Sequence, residues 1–337
     1  MNDIIEQLRN KENLTDAQVE DVLHRIMSGE EGPEAIGEFL LALNAKGPTV
    51  AEITGAARLL RKFSVPVTTK HPVVLDTCGT GGDKKHTFNI STIVALVVAG
   101  AGVAVAKHGN RSVSSRCGSA DVLEGLGVNL NLEDRHLGQC LDEIGIAFLF
   151  AQKLHPAMKN VAPVRKALGV ETIFNILGPL INPARATHQI MGVYRHDYVG
   201  PIAEVLGNLG LVKALVVHGN DGLDEITTTD KTHIGEWDGQ KVLTYDVDPV
   251  ELGVPLAKEE DLKGGDIEEN IRIAGDILEG KKGPKRDIVV LNAAYALYAA
   301  QKVENIADGL TQAQASIDKG LALAKLAALK EFSLREA

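Results

Sequence analysis

The sequence predicts an α/β protein: a small all-helical domain joined to a large domain whose mostly parallel central sheet is flanked by helices. Two observations carry this expectation. Residues 1–65 show helical periodicity throughout, and from His71 onward short apolar strand-like runs alternate with longer helical patterns.

In the N-terminal part, Thr15 to Gln18 reads "TDAQ", a capping box, and Val19, Val22, Leu23, Ile26 and Met27 follow at helical spacing. Gly29 breaks the pattern. Pro33 opens another helix with Ile36, Phe39, Leu40 and Leu43 on one face, closed by Gly47 and Pro48. "TVAE" from Thr49 to Glu52 caps a third, which carries Ile53, Ala56, Ala57 and Leu60. Helices this short cannot bury their apolar stripes alone, so they are expected to pack on a later segment or a second subunit.

Beyond His71, "PVVLD" reads as a buried strand and "STIVALVVAGAG" as a buried helix. "VAVAK" is a strand, "SADVLEGLG" a helix, and "AFLFA" the next strand. "HQIMGVY" and "KALVVHG" continue the series, with a helix around Ile202 to Leu209 between them. Strands alternating with helices imply a parallel sheet covered on both faces. "HIGEWDGQKVLTYDV" adds one antiparallel hairpin, turned at Asp238–Gly239. The C-terminal third, including "VVLNAAYALYAA" and "ALAKLAALKEF", is mostly helical.

Composition narrows the function. Asp and Glu outnumber Lys and Arg by 45 to 35, for a net charge of -10. Sequence-independent nucleic-acid binding needs basic surface, so it is not expected. The 14-residue run Ile93–Ala106 is too short to span a bilayer, and "MNDIIEQLRN" has no signal-peptide pattern. Cys78, Cys117 and Cys140 lack metal-type spacing and read as reduced thiols, so a cytoplasmic protein is expected.

Three polar loops carry the chemistry. "DTCGTGGDKKHTFNIST", Asp76–Thr92, lies between a strand and a helix. A dinucleotide-binding fingerprint and a phosphate-binding Walker loop would each need glycine at position 84, which is Lys84. What remains is another kind of anion cradle. Gly79, Gly81 and Gly82 free the backbone, and Asn89, Ser91 and Thr92 stand where the helix begins. Taken singly, Asn89 and Ser91 could be ordinary helix caps. "KHGNRSVSSRCGSAD", Lys107–Asp121, repeats the pattern with Lys107, His108, Asn110, Arg111, Ser114, Ser115 and Ser119. In a parallel sheet both loops project from the carboxyl ends of strands, where ligands bind. Two cradles suit a ligand with more than one phosphate. The third loop, "GNDGLDEITTT", holds the adjacent acids Asp224 and Glu225. Such pairs are commonly just solvated, but opposite phosphate cradles they suit Mg²⁺, with Ser91 completing its shell.

"CGTGGD", "NIST", "KHGNRSVSS" with "GSADVLEGLG", "GPLINPA" and the late acidic pair occur in order. Over nearly its full length the chain resembles the anthranilate phosphoribosyltransferases. The resemblance implies attack of the anthranilate amine on C1 of phosphoribosyl diphosphate in tryptophan biosynthesis. It implies that Gly79, Gly82, Asp83, Thr87, Asn89, Ser91, Thr92, Lys107, Ser115 and Ser119 contact phosphoribosyl diphosphate. Gly79, His108, Asn110 and Arg165 are assigned to anthranilate, and Ser91, Asp224 and Glu225 to Mg²⁺. It further implies a helical domain of residues 1–66 completed by an insertion near 164–182, with 71–163 and 183–337 forming the α/β domain. A homodimer joined through the helical domains is also implied. Pyrimidine nucleoside phosphorylases share this architecture but differ in the glycine loop and the downstream signature. Non-catalytic nucleic-acid-binding relatives are opposed by the acidic charge.

Overall fold

The computed structural model describes residues 1–111 and 117–335. The chain begins with four helices: α1 (Asn2–Arg9), α2 (Asp16–Ser28), α3 (Pro33–Lys46) and α4 (Val50–Phe63). Both capping boxes form. Thr15 accepts from the Gln18 amide and Thr49 from that of Glu52, while the two longer side chains reach back to the cap amides. Glu52 does more than cap. Its carboxylate is buried and also accepts from the Leu14 amide at 2.8 Å and from Lys46 Nζ at 2.8 Å. One side chain therefore ties the α1–α2 link and the end of α3 to the start of α4.

A seven-stranded sheet follows. Its first half contains β1 (Val74–Asp76), α5 (Ile90–Gly100), β2 (Ala104–Gly109), α6 (Ser119–Gly125), α7 (Asp134–Ile144) and β3 (Ile146–Phe150). Three short helices come next: α8 (Ala151–Leu154), α9 (Ala162–Leu168) and α10 (Phe174–Leu177). The second half contains β4 (His188–Gly192), α11 (Val199–Asn208), β5 (Lys213–Gly219), β6 (Thr232–Trp237) and β7 (Val242–Val247). The C-terminal helices are α12 (Ile267–Leu278), α13 (Pro284–Ala299), α14 (Ile306–Asp318) and α15 (Leu321–Arg335).

The strand order is β3-β2-β1-β4-β5-β6-β7, parallel from β3 through β5 and antiparallel over the last two pairings. The β6–β7 turn is the expected one, with Asp238 accepting from the Gln240 and Lys241 amides. From β1 the chain proceeds to β2 on one side, whereas β4 lies on the other. The order therefore reverses between β1 and β4, and a crevice opens at their carboxyl ends.

The apolar stripes of α1–α4 are buried within the chain itself. They share one continuous core with Val161 and Val164, with Phe174, Leu177 and Leu180, and with Ile202, Val205 and Leu206 of α11. Of the two expected partners, the later segment accounts for this burial. Arg61 strengthens the junction, donating to the carbonyls of Leu180 at 2.8 Å and Leu209 at 3.3 Å.

Candidate active site

The glycine loop leaves β1 at Asp76 and crosses the switch point in direct backbone contact with β4. The Thr80 amide donates to the Gly192 carbonyl at 2.9 Å. A Cβ at Gly79 would lie 3.1 Å from that carbonyl and 3.2 Å from Asp224 Oδ2, so only glycine leaves the gap open. Gly81 adopts φ +63° and donates its amide to Asp224 Oδ2 at 2.8 Å. Gly192 is tighter still: an added Cβ would fall 1.5 Å from the Asp224 carbonyl oxygen.

Further along, Lys84 and His86 take left-handed φ of +59° and +56°. This costly backbone is held by the segment before α12. Thr87 pairs with Lys263, and the Gly264 amide donates to the His86 carbonyl at 3.0 Å. Asn89 occupies the cap position of α5 but makes no capping bond. Its Nδ2 instead donates to the Cys117 carbonyl at 3.3 Å, joining the two loops.

The second loop enters through β2. Lys107 is buried, and its Nζ donates to the Thr77 carbonyl at 3.2 Å and to Ser91 Oγ at 3.3 Å. Asp76 accepts from the His108 amide at 3.1 Å and from Asn182 Nδ2 at 2.7 Å. Asn182 also donates to the Ala106 carbonyl at 2.8 Å, so the "GPLINPA" turn locks the ends of β1 and β2 together. Burial raises the Asp76 carboxyl to about 6, with Lys107 and Asn182 pulling it back down. The Nε2 atoms of His108 and His155 lie 3.1 Å apart. Burial, then His155, lowers His108 to about 3; burial lowers His155 to about 4. Both rings are therefore neutral near pH 7. Asn110 and Ser119 meet each other, Ser119 Oγ donating to the Asn110 carbonyl at 3.2 Å. Ser114 and Ser115 lie outside the described residues.

The acidic pair closes the crevice opposite Lys107. Asp224 is raised to about 7 by burial and then by the neighbouring charge of Asp83. Glu225 is raised well above the usual carboxylate range by burial and then by Asp224, while Lys107 opposes the shift. Asp83 Oδ2 and Thr92 Oγ1 are buried without a hydrogen-bond partner. A small cavity here is lined by Thr77, Gly79, Ser91, Gly192, Glu225 and Asn292. Crowded, unneutralised carboxylates with a hydroxyl nearby form a hard-oxygen donor set, which fits a Mg²⁺-like ion bound through one or two carboxylates and ligand phosphates. Asp76, Cys78 and His108 also bring ligand atoms within 4.8 Å of one another. Asp76 there already accepts two hydrogen bonds, and burial holds the Cys78 thiol up at about 12, so this group reads as structural.

The structure thus gathers Gly79, Gly82, Asp83, Ser91, Thr92, Lys107, Asp224 and Glu225 around the switch point. Thr87 is engaged by Lys263, and Arg165 stands on α9. Its guanidinium is 3.5 Å from Asn175 Oδ1 and 5.4 Å from the Phe174 ring centroid, and burial lowers its pKa. Sequence reasoning missed His155, Asn182, Gly192 and Asn292. Asn292 had a visible signal, as the polar residue inside "VVLNAAYALYAA", and Asn182 lay within the quoted motif "GPLINPA".

Comparison with known proteins agrees over the whole chain. Residues 2–64 match the helical bundle domain of a glycosyl transferase family, and residues 71–323 match that family's a/b domain. A Symbiobacterium thermophilum protein named anthranilate phosphoribosyltransferase is 51% identical over 335 residues, covering 99% of this chain and 98% of that one. The crystal structure of anthranilate phosphoribosyltransferase from Thermus thermophilus superposes with a TM-score of 0.94 at 41% identity, covering 98% and 99% of the two chains. The Saccharomyces cerevisiae enzyme in complex with PRPP and Mg gives 0.88 at 28% identity, covering 96% and 94%.

Proposed function

The chain belongs to the anthranilate phosphoribosyltransferases, and from that membership we infer how its crevice works. The enzyme transfers the phosphoribosyl group of phosphoribosyl diphosphate to the amine of anthranilate, releasing diphosphate, in tryptophan biosynthesis. The observation that carries the residue assignments is the convergence of Gly79–Asp83, Ser91, Lys107, Asp224 and Glu225 at one switch point.

The glycine loop and Lys107 receive the diphosphate, since bare backbone and a buried ammonium both favour anionic oxygens. Thr92, Asn89, Thr87 and Ser119 line the remaining length of the sugar phosphate. Ser91, Asp224 and Glu225, joined by Asp83, would hold Mg²⁺, which when bound would neutralise the diphosphate and ease its departure. The yeast relative was solved with PRPP and Mg.

C1 acquires oxocarbenium character as diphosphate leaves, so no covalent nucleophile is needed. The amine of anthranilate is already neutral, and the neutral rings of His108 and His155 offer it a polar wall without competing positive charge. Gly79 and Asn110 flank that wall. Arg165 takes the carboxylate through charge-assisted hydrogen bonds, which requires the α9–α10 segment to meet the crevice in the loaded enzyme. Positioning therefore outweighs general-base catalysis. Closure of the helical part, residues 1–66 with 164–182, on the rest would exclude water from a hydrolysable substrate. Pairing of two copies through that part is inferred from the family resemblance. Among the described residues no helix is long and apolar enough to cross a membrane; the net charge of -10 supports our reading of a cytoplasmic protein without nucleic acid as a partner.

The test is the loss of anthranilate fluorescence on mixing with phosphoribosyl diphosphate and Mg²⁺. Wild-type protein is expected to consume it, and Asp224→Asn with Glu225→Gln is not. Phosphate-dependent cleavage of thymidine or uridine, with anthranilate untouched, would overturn the assignment.

A further inference from the structure

Helix α13 is apolar and buried along most of its length, with Ile288, Val289, Leu291, Ala293 and Ala294 all inaccessible to solvent. In its middle stands Asn292, 1% exposed. Asparagine is a poorer helix former than the residues around it, and burying its amide is costly unless every polar atom is met. Here they are met in an unusual way. Oδ1 accepts from the Ile226 amide at 2.9 Å, and Nδ2 donates to the Ile226 carbonyl at 2.8 Å. The second Nδ2 hydrogen goes to the Ile288 carbonyl one turn back, at 2.8 Å.

The side chain thus treats Ile226 as a neighbouring strand would, gripping both its backbone groups. Ile226 lies in the connection between β5 and β6, where no ladder supports it. The amide gripped by Oδ1 belongs to the peptide linking Glu225 to Ile226. Fixing that peptide plane fixes where Glu225 starts its side chain, and Glu225 and Asn292 line the same small cavity with Ser91. The segment is also held from its other end. Asp221 accepts from the hydroxyls of Thr227 at 2.8 Å and Thr229 at 2.5 Å.

We propose that Asn292 is a positioning residue for the cation site: by clamping Ile226 it sets the carboxylate of Glu225, and so the affinity of the crevice for a divalent ion. This rests on the assignment of Glu225 to the metal made above. Outer-shell partners that orient metal ligands typically control affinity by about 10- to 100-fold.

The probe is Mn²⁺, titrated by electron paramagnetic resonance into the full chain with phosphoribosyl diphosphate and without anthranilate. Asn292→Leu keeps the branched outline of the side chain, with greater bulk, and loses the clamp. It is expected to weaken Mn²⁺ binding about tenfold, while the anthranilate constant at saturating metal moves less than about twofold. Ile288→Val, on the same helix, lowers the melting temperature through lost packing and is expected to leave the Mn²⁺ constant unchanged. If Asn292→Leu does not fold, Asn292→Ser carries the same measurement. A folded Asn292 variant with wild-type Mn²⁺ affinity overturns the proposal, as does an equal weakening in Ile288→Val. Glu225→Gln separates the two levels. If it binds Mn²⁺ as well as wild type, the metal assignment itself fails; if it does not bind and the Asn292 variants do, only the clamp fails.

Discussion

The two walls of the crevice differ in how they enclose and satisfy their charged groups: Asp76, Lys107 and His108 are fully buried, whereas Asp83, Asp224 and Glu225 are half-buried. On the β1–β2 side, Lys107 has two acceptors, Asp76 has two donors, and His108 rests against His155. On the side of the acidic pair, Asp83, Asp224 and Glu225 crowd together. Their environment raises Asp224 and Glu225, and Asp83 Oδ2 finds no partner. A buried ionisable group left unmet is costly, so proteins keep such groups where something else completes them. The first wall is a finished scaffold. The second is left to be completed by what binds, which supports the proposal that the ion and the diphosphate sit there.

The sharpest way to break this picture is at the seam between the walls. Gly192→Ala would place a methyl 1.5 Å from the Asp224 carbonyl, backbone against backbone, with no flexible side chain to yield. We expect a loss of roughly 3 kcal/mol or more in stability, with turnover abolished, read by thermal melting and the fluorescence assay. An unshifted melt would mean that the two backbones do not touch.

The next effect is smaller in stability and opposite in sign. A carboxyl whose folded pKa is raised penalises the fold once it ionises. The ligand-free chain is therefore expected to lose stability as pH rises from about 4 through about 7, where Asp224 gives up its proton. Asp224→Asn with Glu225→Gln removes that penalty. The double variant should melt higher than wild type at pH 8, by about 1–2 kcal/mol, should match it near pH 4, and should be inactive throughout. A lower melt at pH 8 would show that the acidic wall is not strained. Arg165→Ala tests a region beyond both walls. Its apparent anthranilate constant should rise with the loss of ~1.5–3 kcal/mol of charged hydrogen bonding, and the constant for phosphoribosyl diphosphate should hardly move. An unchanged anthranilate constant removes Arg165 from the site.

Local signals made the scaffold legible. Helical period picked out the stripes of α2, α3 and α4 residue by residue, and both capping boxes formed because each needs only three consecutive peptides. The glycine loop was legible as a cradle because bare backbone beside lysines has few other uses. The satisfied wall was not, because its contacts are distant in sequence, Asn182 meeting Asp76 across 106 positions; the same holds for the support of the acidic wall, where Asn292 meets Ile226 across 66. "PVVLD" read as a five-residue strand, yet only Val74–Asp76 pair. Asn89 showed how type can mislead, since an ideal cap residue spends its amide on the other loop.

The smallest expected effect isolates the finished wall. His108 and His155 are held neutral by burial, so their folded pKa values, about 3 and about 4, lie below the usual 6.5. Unfolded chains take up these protons first. The pair therefore adds stability that is complete above about 6.5 and is lost as pH falls toward 4, the reverse of the acidic wall. In wild type the two slopes oppose each other and partly cancel. In the Asp224→Asn, Glu225→Gln background the acidic slope is silenced, and the melting temperature should fall between pH 6.5 and 5. Adding His155→Gln to that background should flatten the fall. At saturating Mg²⁺, which would keep Asp224 and Glu225 ionised, wild-type turnover should meanwhile stay level from pH 6 to 8, since neither ring gains or loses a proton there. A turnover profile with a step near 6.5 would mean that one of the rings is wet and charged, and that the contrast between the walls is not one of satisfied against unsatisfied groups.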